Sequence, residues 1–215
     1  MPPLRLSIRP PTRSPSTEMI AGIVLAAGRS RRMGSPKAFL RLDEATFLER
    51  AVAALKGGGC EPVIVVAGPP DDGPGREIAD AAARLGARVA VNPDPASQQA
   101  DSLRAGLRMM GDDGEAAVVM PVDVPGVTAE LVRAVIDAHR STGAPVVQPY
   151  DGERHGHPAL FARALWPELL HGELPEGART VIHAHAAERA EVRVPRLHAD
   201  VDTPEDYRRL LEGEA

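Results

Sequence analysis

A strand-like run, Ile20–Leu25, leads directly into Ala26-Ala27-Gly28-Arg29-Ser30-Arg31-Arg32-Met33-Gly34-Ser35-Pro36-Lys37, a turn of small residues and cations. Ala26, Ala27, Gly28 and Gly34 let the main chain approach an anion closely, and the exposed N–H groups of such a turn form an anion-binding concavity. Arg29, Arg32 and Lys37 supply the countercharge. Lys and Arg total 25, yet Lys37 and Lys56 are the sole lysines. A lysine kept at 37 against that bias points to a compact ammonium seated between phosphate oxygens, where a planar guanidinium fork fits less well. A polyphosphate is the expected ligand. The spacing of Gly28, Gly34 and Lys37 matches neither a Walker A loop nor Gly-x-Gly-x-x-Gly, which argues against a P-loop NTPase or a dinucleotide-dependent oxidoreductase.

Two carboxylate positions are candidate partners for it. Val118-Val119-Met120-Pro121-Val122-Asp123-Val124-Pro125 sets Asp123 just beyond a buried strand, on the edge where the first loop also lies. Mg²⁺ accepts one or two carboxylates together with waters and phosphate oxygens, so Asp123 is a candidate ligand; a strand-end turn is the competing explanation. In Asp200-Val201-Asp202-Thr203-Pro204, Asp202 is a second candidate, and Asp200 and Asp202 share a face if the segment stays extended. Helix capping competes here. Gly156-His157-Pro158 reads as a tight, substrate-facing loop. His155, His157, His183 and His185 lack the further ligands a zinc site requires, and no Gly-x-Ser-x-Gly elbow supports a nucleophilic hydrolase.

The elements that must position these groups alternate. Strands are expected at Ile20–Leu25, Pro62–Ala67, Arg88–Val91, Ala116–Met120 and Pro145–Gln148, with helices at Thr46–Leu55, Arg76–Leu85, Ala100–Met110 and Ala129–His139. Short runs rich in Val and Ile with helices between them predict a three-layer α/β/α, Rossmann-like, mostly parallel sheet. Ligands of such sheets bind at the carboxyl ends of strands. The last third predicts some antiparallel pairing, with short strands at Ala159–Phe161, Glu191–Val194 and Arg196–Ala199 and helices near Arg163–Leu170, Ala178–Ala187 and Pro204–Leu211. Thr203-Pro204-Glu205-Asp206 is a helix start with Thr203 as N-cap and Asp206 in the capping-box position.

At 215 residues and 43% hydrophobic composition, the chain suits one α/β domain, expected over residues 19–215. A net charge of −5 with 3% aromatics argues against a nucleic-acid surface. No apolar run reaches membrane-spanning length, and Cys60 stands alone, which fits a reducing cytoplasm. Residues 1–18, rich in Pro, Arg and Ser, are expected to form a disordered tail, and Met19 offers an alternative start.

Four ordered motifs resemble the MobA-like nucleotidyltransferases, most closely the branch that includes molybdenum cofactor cytidylyltransferase. They are Leu25-Ala26-Ala27-Gly28-x-Ser30-x-Arg32-Met33-Gly34-x-x-Lys37, Pro121-Val122-Asp123-x-Pro125, Gly156-His157-Pro158-x-Leu160-Phe161 and Asp200 to Asp206. The resemblance implies transfer of a nucleoside monophosphate, with CTP the expected donor, onto a small phosphorylated acceptor such as molybdopterin, releasing pyrophosphate. By position it implies that Leu25, Ala26, Ala27, Gly28, Arg29, Gly34, Lys37 and Ser102 bind the nucleotide and that Arg32, Lys37 and Asp123 are catalytic. It further implies that Asp123 and Asp202 hold Mg²⁺, and that Gly156, His157 and Pro158 face the substrate. Ala27 resembles the cytidylyl branch, since the guanylyl branch has Gly there. On the acceptor side, Ser97 to Asp101, which precede Ser102-Leu103-Arg104-Ala105-Gly106, and Pro175 to Arg179 depart from the family pattern. Alternatives are the same fold with another base or acceptor (sugar, polyol or phospholactate), or a non-catalytic protein that delivers a cofactor to a molybdoenzyme partner.

Overall fold

The computed structural model describes residues 19–28, 33–71, 73–94, 99–111 and 114–213. The expected tail over residues 1–18 and the cations Arg29 and Arg32 lie outside the described residues. In chain order the elements are β1 (Ile20–Leu25), a 3₁₀ turn (Lys37–Phe39), β2 (Arg41–Leu42), β3 (Ala45–Thr46), α1 (Phe47–Gly58), β4 (Val63–Ala67), α2 (Gly75–Arg84), β5 (Arg88–Val91), α3 (Gln99–Met110), β6 (Ala116–Pro121), α4 (Ala129–Thr142), β7 (Val146–Tyr150), β8 (Ala159–Ala162), α5 (Trp166–His171), α6 (Ala178–Ala184), β9 (Ala190–Arg193) and α7 (Pro204–Leu211). Short 3₁₀ turns precede α5 and follow α6.

Seven strands form one sheet in the order β5-β4-β1-β6-β8-β7-β9. Pairing is parallel from β5 through β6 and again between β7 and β9, whereas β8 runs antiparallel to both β6 and β7. β2 and β3 make a separate small hairpin.

Side-chain alternation explains why the sheet is covered on both faces. Ile20, Val24, Val63, Val65, Val118 and Met120 join one apolar cluster with α1, α2 and α4. The intervening Ala21, Ile23, Ile64, Val66, Ala117 and Val119 join the other with α3, α5 and α6. Both neighbours of each strand residue are therefore dry, and the strands read as continuous apolar runs. α1 and α4 approach each other through Gly58, where a Cβ would collide with Val132.

Two expectations for the last third fail. Residues 196–199 form no strand; the segment after β9 is irregular, with Leu197 buried against Gly156, where a Cβ would come within 2.7 Å of Leu197 Cδ2. Asp200 and Asp202 consequently do not sit on a strand face. The helix expected over Ala178–Ala187 ends at Ala184 and continues as a 3₁₀ turn, Ala186–Glu188. The hairpin at Arg41–Thr46 had no counterpart in the sequence reading.

Candidate active site

Three chain segments converge at the carboxyl edge of β1 and β6. The pairing of Leu25 with Pro121 sets the ends of these neighbouring parallel strands level, so the loop from Ala26 to Gly28 and the residues beyond Pro121 emerge side by side. Val122 N–H donates to Leu25 O at 3.1 Å, and Ala26 N–H donates to Val66 O at 2.9 Å. Asp123 is thus the second residue past a fully buried strand.

Lys37 reaches the same point from the far end of the first loop. Gly34 takes a left-handed turn with φ of 69°, a conformation that costs glycine little. The 3₁₀ turn then closes with Leu40 N–H donating to Lys37 O at 3.1 Å. Ala38 is buried, and Phe39 and Leu40 pack on the core, which fixes the turn. The Lys37 ammonium donates to Asp123 Oδ2 at 2.8 Å and to Asp202 Oδ1 at 2.6 Å. The two carboxylate oxygens are no farther apart than those two bonds laid end to end.

Asp202 is positioned by the start of α7. Thr203 caps the helix, Asp206 completes the capping box, and Asp202 N–H itself donates to Asp206 Oδ2 at 3.2 Å. Tyr207 anchors this helix by meeting the Phe47 ring edge-on, with centroids 6.0 Å apart, and by donating its hydroxyl to Arg41 O at 2.7 Å. Val201 N–H donates to Asp123 O at 2.9 Å, tying the two acidic segments together.

Charge and burial set the chemistry. Burial alone would lower the Lys37 pKa, but hydrogen bonds and attraction from Asp123 and Asp202 outweigh it and hold the ammonium above its ordinary range. Desolvation, reinforced by Asp123, raises Asp200. Burial pushes His157 down, against the upward pull of Asp200 and Asp123, and the nearby Arg179 guanidinium adds to the depression. His157 also has a hydrogen bond with the Val119 backbone, while its Nδ1 is buried without a partner. Gly156 accepts from Gln148 Nε2 at 3.3 Å, and Pro158 is buried.

Lys37, Asp123 and Asp202 are therefore brought together, with Leu25, Ala26, Ala27 and Gly28 leaving the adjacent strand. His157 lies within electrostatic reach of Asp123. Ser102 is buried on α3 and takes a hydrogen bond from Asn92 Nδ2 at 3.0 Å. Arg29 and Arg32 lie outside the described residues. Three further histidines pair with glutamates: His155 with Glu191 at 2.7 Å, His183 with Glu176 at 3.4 Å and His185 with Glu168 at 3.1 Å.

Two supporting residues escaped the sequence reading. Arg50 donates from Nε to Pro125 O at 3.0 Å and so braces the loop that carries Asp123; an arginine in the first turns of a helix gives no signal of that role. Tyr207 could have been suspected only as an aromatic on a charged helix.

A model of the MobA-like NTP transferase domain matches residues 22–190. The chain belongs to the MobA-like NTP transferase family. Membership makes it a nucleotidyltransferase of MobA type. A probable molybdenum cofactor guanylyltransferase of Mycobacterium avium (strain 104) is 34% identical over 91% of this chain and 97% of that protein. Its counterpart in Mycobacterium tuberculosis (strain ATCC 25177 / H37Ra) is 36% identical over 69% of this chain and 70% of its own. Among solved structures, Rv0371c of Mycobacterium tuberculosis H37Rv superposes with a TM-score of 0.76 at 31% identity, covering 90% of this chain and 97% of that one. The same protein solved in complex with manganese gives 0.75 at 30% identity, covering 90% and 98%. The observed sheet and the superposition on these structures bear out the three-layer, mostly parallel fold. No helix among the described residues is long and apolar enough to cross a membrane.

Proposed function

We propose that the chain transfers a nucleoside monophosphate from an NTP onto the phosphate of a molybdopterin-type acceptor, with Mg²⁺ and release of pyrophosphate. The observation that carries this reading is the Lys37 ammonium shared by Asp123 and Asp202 at the edge where the Ala26–Gly28 loop leaves β1. Lys37, Arg29 and Arg32 would hold the triphosphate, and Leu25 to Gly28 with Gly34 would let the backbone approach it. Ser102, through Asn92, would keep the end of β5 and the start of α3 in place beside the nucleotide.

The donor set fits a hard divalent cation. Two carboxylates near enough to share one ammonium are near enough to share one metal ion, and Mg²⁺ completes its shell with waters and phosphate oxygens. No group of three or more His, Cys, Asp or Glu side chains able to hold a metal gathers among the described residues, so an all-protein cage is not the geometry at hand. The manganese complex of a structure 30% identical supports a divalent cation at this fold. When bound, the metal would neutralise charge on the phosphates. The acceptor phosphate is anionic at neutral pH and needs no general base. The residues of this chain then act by holding nucleophile and α-phosphorus in line and by opposing developing charge. Gly156, His157 and Pro158 would face the acceptor, and a molybdoenzyme would receive the product.

The Ala27 methyl group narrows the base side of the loop and favours CTP. GTP is the second reading, favoured by relatives named as guanylyltransferases. Pyrophosphate release with each NTP and molybdopterin, with the mass of the conjugate, separates the two. CTP is expected to give the fastest release. Ala27→Gly should shift kcat/KM toward GTP by roughly tenfold, the value of one small group in a pocket. Failure of every NTP to yield pyrophosphate and a conjugate would overturn the reading.

A further inference from the structure

The β2–β3 hairpin stands outside the main sheet, two residues to a strand, with Arg41 facing Thr46 and Leu42 facing Ala45. A ribbon this short has little stability of its own, so its position is set by whatever holds it. Lys37 leads into it through the 3₁₀ turn that ends at Phe39. Its base is closed by Phe47 N–H, at the start of α1, donating to Leu40 O at 2.8 Å.

The other attachments lead to the two carboxylates. Arg50 on α1 donates from Nη1 to Leu42 O at 3.5 Å and pairs with Asp43 in the hairpin turn at 3.6 Å. Its Nε donates at 3.0 Å to the carbonyl of Pro125, two residues beyond Asp123. On the opposite side the Tyr207 hydroxyl accepts from Arg41 N–H at 3.3 Å and donates to Arg41 O at 2.7 Å. Tyr207 belongs to α7, the helix whose capping box holds Asp202 N–H, and its ring rests edge-on against Phe47. Lys37, Asp123 and Asp202 are therefore all referred to one short segment, Leu40 to Thr46.

We propose that the β2–β3 hairpin is a clamp that fixes the spacing of Asp123 and Asp202 for a divalent cation, with Arg50 and Tyr207 as positioning residues. The inference rests on the metal-dependent nucleotidyltransferase reading above and deepens it. Mg²⁺ demands near-ideal octahedral geometry, so a small change in the spacing of its carboxylates costs affinity. The Lys37 ammonium draws the two carboxylates together only while it remains between them. Once it turns to a triphosphate they repel each other, and the bonds from Arg50 and Tyr207 to backbone oxygens survive that change.

Titration calorimetry with MgCl₂ on the full chain, without nucleotide, reads the spacing apart from any catalytic step. Arg50→Met keeps the stem and removes every donor, while Tyr207→Phe keeps the ring on Phe47 and removes only the hydroxyl. Direct outer partners of metal ligands are worth roughly 10–100-fold in affinity, and these braces, one step further out, should each weaken Mg²⁺ binding by roughly threefold to tenfold. Because both act through one hairpin, the double variant should lose less than the product of the two single effects. Arg50→Lys keeps one donor for Pro125 O and should fall between Arg50→Met and wild type; it replaces Arg50→Met if that variant does not fold. Arg163→Met is the matched control. Arg163 donates to the carbonyls of Gly111 at 3.4 Å and Gly114 at 2.9 Å, at the amino end of β6 and so across the sheet from Asp123. Its loss should lower stability in urea yet leave Mg²⁺ affinity within about twofold of wild type. Pyrophosphate release by the two brace variants should need more Mg²⁺ for the half-maximal rate, with kcat at saturating Mg²⁺ within about threefold of wild type. The clamp is overturned if either folded brace variant keeps the wild-type Mg²⁺ affinity, if Arg163→Met weakens it equally, or if the two effects simply multiply in the double variant. Absence of both Mg²⁺ binding and pyrophosphate release in wild type sinks the underlying reading instead.

Discussion

Replacing Lys37 with methionine removes the ammonium while keeping an unbranched apolar stem. Asp123 and Asp202 would then confront each other with no cation between them. Their oxygens lie 2.8 and 2.6 Å from Nζ, so that even at the widest separation those bonds allow two like charges repel by about 0.8–1.5 kcal/mol at effective dielectrics of roughly 80–40. The watery end of that range applies, because the Asp123 and Asp202 side chains are 20% and 49% exposed. A divalent cation relieves this repulsion and no longer competes with an internal ammonium. Lys37→Met should therefore bind Mg²⁺ in the absence of nucleotide about tenfold more tightly than wild type, a gain of about 1.4 kcal/mol. Titration calorimetry with MgCl₂ at fixed ionic strength reads this, since salt screens exposed pairs. Urea unfolding with and without MgCl₂ checks it through linkage. Pyrophosphate release should fall sharply in the same variant, because the triphosphate loses its cation. A folded Lys37→Met protein that binds Mg²⁺ no better than wild type would refute the reasoning.

Two further outcomes follow from neighbouring groups. Thr203→Ala removes the cap of α7 and should cost about 1 kcal/mol in urea unfolding. Because Asp202 N–H is held by the same capping box, the variant should also need more Mg²⁺ for half-maximal pyrophosphate release. The pKa of His185 is raised by its hydrogen bonds to Glu168 and then Glu188. That stabilisation is complete below the ordinary imidazole value and fades as pH rises through the higher folded value. Wild type should therefore exceed His185→Ala in unfolding free energy by more at about pH 5.5 than at about pH 8.5. The difference should be a few tenths to about 1 kcal/mol, as for partly exposed pairs.

Much of the sheet was legible because its strands are dry on both faces and so appear as uninterrupted Val- and Ile-rich runs. β1 and β5 match their expected bounds, and α7 begins where Thr203 and Pro204 announce it. The hairpin at Arg41–Thr46 was not legible, since two-residue strands carry no periodicity and its turn depends on Asp43 at φ of 55°. The expected strand at 196–199 failed for the opposite reason. Its residues have strand-like alternation, but Leu197 is claimed by Gly156, and the backbone of Val201 by Asp123. At the site, residue types singled out Asp202 as a further carboxylate candidate and Lys37 and Asp123 as candidates on one sheet edge. Their meeting with Asp202, across 86 and 165 positions of chain, is a product of strand order and of the α7 cap, and no local pattern encodes it. The bracing role of Arg50 is invisible for the same reason.

Pyrophosphate release by Asp123→Ala, compared with wild type under saturating NTP, Mg²⁺ and molybdopterin, tests the catalytic assignment most directly. The account predicts a loss of roughly a hundredfold or more, as when a charge-stabilising contact in a phosphoryl-transfer site is removed, with the melting temperature little changed. A folded Asp123→Ala protein that releases pyrophosphate at close to the wild-type rate would contradict it.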